Sequence, residues 1–97
     1  MKRSIFLPEA LEEMVEAARF YDSRAPDLGR RFMDVIHRAV AEIREHPQRW
    51  PIVRSGIRRR LVGRFPYGIL YRDDPDEIVI VAIMHLHRHP DYWLGRI

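Results

Sequence analysis

Near the end of the chain, the run IVIVAIMHLH from Ile78 to His87 places apolar side chains on both sides of an extended backbone. Ile78, Ile80, Ala82, Met84 and Leu86 point one way, and Val79, Val81, Ile83, His85 and His87 point the other. A strand that is apolar on both faces has to be covered on both, which predicts a central place in a sheet. The rest of the chain must supply its neighbours and its covers. Tyr67 to Arg72 reads as the preceding strand, joined to it by the turn Asp73, Asp74, Pro75, Asp76. Before that, Ile57 to Gly63 alternates, with Ile57, Arg59 and Leu61 on one face and Arg58, Arg60 and Val62 on the other. So mixed a pattern predicts an outer strand. A short strand from Arg3 to Leu7 opens the chain.

Two helices supply the cover. Pro8 suits the first position of a helix, Glu9, Glu12 and Glu13 favour its positive end, and Leu11, Met14, Val15, Ala18 and Tyr21 form its stripe. After a turn at Asp22 to Ala25, a second helix begins near Pro26. It carries Leu28, Phe32, Val35, Ile36, Ala39, Val40 and Ile43 on one face and ends by His46, ahead of Pro47. Pro47 to Gly56 reads as a loop anchored by Trp50. The expected fold is α+β, in the order strand, helix, helix, strand, strand, strand, with the helical hairpin packed on a mostly antiparallel sheet. At 97 residues the chain is expected to form a single domain over residues 1–97.

With no cysteine there is no disulfide framework, thiolate metal site or cysteine nucleophile. No stretch approaches the roughly 20 apolar residues of a membrane helix. Lys2 and Arg3 are followed only by Ile5 to Leu7 before Pro8, which is not a secretory signal, so the protein is expected in the cytoplasm, with no membrane partner.

The net charge of +3 is unevenly spread. Between Ile52 and Arg72 stand Arg54, Arg58, Arg59, Arg60, Arg64 and Arg72, with no acid among them. Such a field attracts a polyanion or an acidic protein, and the arginine fork favours oriented binding of phosphate or carboxylate. Arg58 and Arg60 share a face about 7 Å apart, a spacing close to that of neighbouring phosphates. A charged edge strand guarded against aggregation gives the same pattern. Tyr67 and Tyr71 share a face of the adjacent strand, either to stack bases or to sit buried with satisfied hydroxyls. His85, His87 and His89 recur at every second residue, but no carboxylate is evidently placed to complete a zinc site, and neither metal nor cofactor is expected. His85 with Arg88 suits proton transfer beside a charge-stabilising cation better.

At these residues the chain resembles the RelE/ParE superfamily of bacterial toxins. The resemblance covers essentially the whole chain: the first strand, the helical hairpin, the arginine strand, Arg64-Phe65-Pro66-Tyr67 with Tyr71 and Arg72, and Ala82 to Pro90 with His85 and Arg88. It implies the toxin of a type II toxin–antitoxin module, a growth inhibitor neutralised by a cognate antitoxin. ParE-like members are associated with inhibition of DNA gyrase, whereas RelE-like members cut messenger RNA on the ribosome. For the nuclease the matching catalytic positions are Arg64, His85 and Arg88. Arg58, Arg60, Tyr67, Tyr71 and Arg72 would bind nucleic acid or a partner. The basic strands lack the lysines usual in the RelE type, and the late tyrosine, Tyr92, lies beyond Pro90. The ending His89-Pro90-Asp91-Tyr92-Trp93 is more similar to the ParE-like, plasmid-stabilisation branch. A homologue that only binds its antitoxin is the third alternative.

Overall fold

In the computed structural model, which describes residues 1–97, seven buried positions in succession, Ile78 to Met84, form the body of a strand flanked on both sides. The elements are β1 (Arg3–Phe6), α1 (Pro8–Arg24), α2 (Leu28–Glu45), β2 (Ile52–Arg54), β3 (Ile57–Val62), β4 (Tyr67–Asp73) and β5 (Glu77–His85), followed by a 3-10 turn at Leu94–Arg96. One five-stranded sheet runs in the order β1-β5-β4-β3-β2. β1 pairs with β5 in parallel and every other pair is antiparallel, so the sheet is mixed and the α+β expectation holds.

The helical hairpin covers one face. Phe32, Ile36, Ala39, Val40 and Ile43 of α2 meet Ala10, Met14, Ala17 and Ala18 of α1 over Ile69, Tyr71, Ile78, Ile80 and Ile83. On α1 the buried stripe differs from the expected one. Leu11 is 48% exposed, and Ala10, Ala17 and Ala18 take the interior with Met14; the helices approach closely near their junction. There a Cβ on Gly29 would lie 2.2 Å from the Ala18 carbonyl oxygen, so only glycine fits, and its N–H donates to Asp22 Oδ1 at 2.8 Å.

Three further expectations are corrected. Between Leu70 and Tyr71 the partner on β5 jumps from Ala82 to Ile80, so Val81 is an extra residue, a β-bulge. The bulge reverses the alternation: Ala82 and Met84 join Val79 and Val81 in the second core, while Ile83 turns to the helices with Ile78 and Ile80. Second, the loop after α2 contains β2, joined to β3 by Ser55 and Gly56, at φ 52° and 76°. Two left-handed residues in a two-residue loop make the tight turn that matches strand twist, so β3 is internal and β2 is the edge. Third, β5 ends at His85, so His87 and His89 leave the strand.

On the sheet's other face a smaller core comprises Ile57, Leu70, Val79, Val81, Ala82, Met84 and the buried Trp93. Its cover is the C-terminal segment, and Trp93 Nε1 donates to the Pro90 carbonyl at 2.6 Å.

Candidate functional site

Alternation along β3 does put Arg58 and Arg60 on one face, the face under α2, where both find partners within the chain. Arg58 Nη1 donates to the Trp50 carbonyl at 2.7 Å. Arg60 donates to Glu42 of α2 and, through Nη1, to the Leu61 carbonyl at 3.0 Å, and its guanidinium lies 5.0 Å from the Trp50 ring centre. Its Nε is buried without a partner. Tyr71, opposite Arg58 in the register, is fully buried and donates its hydroxyl to the Pro47 carbonyl at 2.6 Å. Burial pushes its pKa up to about 12. Together these three residues fasten the loop between α2 and β2.

Arg72 lies at the far end of β4, in a two-pronged pair with Asp74 at 2.8 and 3.0 Å. That hydrogen bond raises the arginine's pKa and lowers the aspartate's. Tyr67 packs against Phe32 and His85, with ring centres 5.0 and 5.1 Å away, and burial raises its pKa. Arg64 sits in the β3–β4 turn at φ 74° and borders a cavity of about 480 Å³ along α2.

His85 and Arg88 are the two that the structure brings together. They border a cleft of about 190 Å³ with Glu13, Glu16, Tyr67 and Ile83. His85 Nδ1 accepts the His87 N–H at 3.1 Å. In the neutral ring the proton is therefore on Nε2, which makes His85 a donor to an anion rather than a base at that nitrogen. Arg88 lies 3.8 Å above the Tyr92 ring and 3.5 Å from Glu13 Oε2.

The centre of this region is a residue that sequence reasoning missed. β1 accompanies β5 only to Ile80, so the next stretch of that edge has no strand beside it. Glu13 of α1 takes its place: Oε1 accepts the Ile83 N–H at 3.1 Å, and Arg96 donates to the Val81 carbonyl at 3.1 Å. Arg96 also grips both carboxylate oxygens, at 2.8 and 2.9 Å, and the Tyr92 hydroxyl donates to Oε2 at 2.6 Å. Burial first, and then the hydrogen bond to Glu13, raise the Tyr92 pKa well above the usual phenol range. Hydrogen bonding to Glu13 raises that of Arg96. In the sequence Glu13 offers only a charge suited to the start of a helix. Its partners stand 70 to 83 positions away, and nothing local in the sequence announces them.

The arrangement offers two open surfaces, the His85–Arg88 cleft and the larger cavity beside Arg64, separated by the interlocked rings of Tyr21, Phe65 and Tyr67. No curated protein matches the sequence. The structure is similar to one described as a chromosomal ParDE TA system from P. aeruginosa, with a TM-score of 0.65 and 16% identity, over 90% of this chain and 98% of that one. At that identity the likeness speaks for the fold. A family model described as the ParE toxin of the type II toxin–antitoxin system, parDE, matches residues 5–90. The chain accordingly belongs to the ParE family of toxins from type II toxin–antitoxin systems.

Proposed function

We propose that this toxin arrests growth as a protein ligand of DNA gyrase, in the cytoplasm, and that a cognate antitoxin holds it inactive. The observation that carries the reading is the internal engagement of the arginine strand. Cleavage of RNA needs cations free to neutralise the phosphate in its transition state. Arg58 and Arg60 are already spent on the Trp50 carbonyl and Glu42. Arg64 borders a different cavity from His85 and Arg88, and His85 Nδ1 is occupied. Surface recognition makes no such demand.

The alternative reading, ribosome-dependent cleavage of messenger RNA, rests on His85 with Arg88 and on Arg64, Arg58 and Arg60 as further phosphate contacts. Tyr67 and Arg72 belong to the same proposed binding set; Tyr71, grouped with them in the sequence, is fully buried and offers no surface to a ligand. Expression without the antitoxin separates the readings. Poisoned gyrase induces the DNA-damage response before protein synthesis falls, and the purified toxin blocks supercoiling. Arrest of translation first, relieved by His85→Ala or Arg88→Ala, would overturn the gyrase reading in favour of the nuclease. Normal growth would leave the antitoxin-binding homologue.

A further inference from the structure

On the face of the sheet turned away from the helices, Trp93 and the C-terminal segment close over the smaller core, but towards the β3–β4 turn Leu61 of β3 is still 52% exposed. The cover is incomplete there. In the register Leu61 stands opposite Gly68, and Gly68 opposite Met84, so the middle of that row carries no side chain. Arg59 shares the face with Leu61, about 7 Å away along the strand. Its aliphatic stem leans towards the gap, where a Cβ on Gly68 would lie 3.3 Å from Arg59 Cγ and 3.5 Å from Leu61 Cδ2. Beside this row a shallow dent of about 80 Å³ is bordered by Val53, Arg54, Arg59, Leu70, Met84 and Asp91.

The two arginines of the dent differ in what holds them. Arg54 is paired with Asp91, whereas the half-buried Arg59 has no hydrogen-bonded or ionic partner within the chain. A free guanidinium set among Leu61, Met84 and the exposed Val53 fits a carboxylate carried on an apolar surface, the mixture found in the core of protein interfaces. A nucleic-acid strand fits poorly, because one free cation among aliphatic side chains gives a run of phosphates no second grip. A second copy of this chain fits no better, since a two-fold contact would set the same unpaired cation on both sides.

We propose that this face seats the target: an apolar segment of gyrase lies over Gly68 between Leu61 and Met84, with one of its carboxylates on Arg59. This rests on the gyrase reading and adds the surface and the chemistry of the contact. The purified full-length toxin is titrated into a supercoiling assay, and the concentration for half-inhibition is compared among variants whose fold is checked by circular dichroism. Arg59→Glu and, separately, Leu61→Glu each raise that concentration at least about tenfold, because one reverses the charge and the other places a carboxylate in the apolar seat. Arg59→Lys, which keeps the charge, loses less than Arg59→Glu. The control Arg19→Glu, exposed on α1, stays within about twofold. Wild-type potency in both Arg59→Glu and Leu61→Glu overturns the surface and leaves the gyrase reading standing. Weakening by charge reversal alone, with Leu61→Glu unaffected, overturns the apolar seat. A dimer of the free toxin that Leu61→Glu dissolves in sedimentation assigns the face to a second copy and overturns the proposal. Supercoiling unaffected by the wild-type toxin overturns both the surface and the gyrase reading.

Discussion

Removing the Glu13 carboxylate strands several partners at once. Arg96, with its side chain 15% exposed, loses its counter-charge, and the Ile83 N–H loses its acceptor on an edge that no strand covers. Breaking a largely buried pair from one side costs about 3 kcal/mol, so Glu13→Ala destabilises by that order in urea unfolding, while Tyr92→Phe, which removes one hydrogen bond, costs about 1 kcal/mol. A Glu13→Ala midpoint equal to wild type would refute the capping role. That His85 and Arg88 lie near each other was legible because they stand three residues apart at the end of β5. Glu13 was not, because its function depends on how far β1 follows β5. The tyrosines show the same limit: the pattern that put Tyr71 beside Arg58 and Arg60 was right about the face, but whether a face meets solvent or a helix is decided by the hairpin lying over it.

Helices, strands and their order could be read from periodicity because burial alone imposes it. Two departures mark where pattern and structure part. Val81 interrupts β5 inside an unbroken apolar run, where every residue suits either face and no side chain signals a change of phase. β2 did leave a signal, the Ser55-Gly56 pair between two β-prone segments, but Pro47 and Pro51 made the whole stretch read as a loop. The junction of α1 and α2 yields a sharper test. A methyl on Gly29 would collide with backbone at the Ala18 carbonyl, which cannot swing aside as a side chain can. Overpacking of that kind costs about 3 kcal/mol, and for a domain of this size Gly29→Ala lowers the melting temperature by roughly 12–24 °C. A shift of less than about 4 °C would mean that the helices can separate at little cost.

Across the whole molecule, two phenols tie down opposite parts of the chain: the buried Tyr71 the loop after α2, the half-buried Tyr92 the C-terminal segment. Both titrate above the ordinary tyrosine value, so the folded state keeps protons that the unfolded chain releases. Their contribution is complete below about pH 10 and falls away as pH rises from there towards 12 and beyond. Urea stability therefore declines steeply over that interval, and Tyr71→Phe/Tyr92→Phe flattens the decline; an equally steep fall in the double variant would exclude these phenols as its cause. The parallel pairing of β1 with β5 bears on a different event, synthesis. Arg3 must wait for Glu77, so the first strand to leave the ribosome has no partner until most of the chain has followed. Meanwhile α1 and α2 emerge with Phe32, Ile36 and Ile43 uncovered, because the strands that bury them come later. For the time needed to make β3 to β5 the nascent chain carries an exposed apolar hairpin. That interval, rather than any weakness of the finished fold, is when it is most open to aggregation and to capture by chaperones.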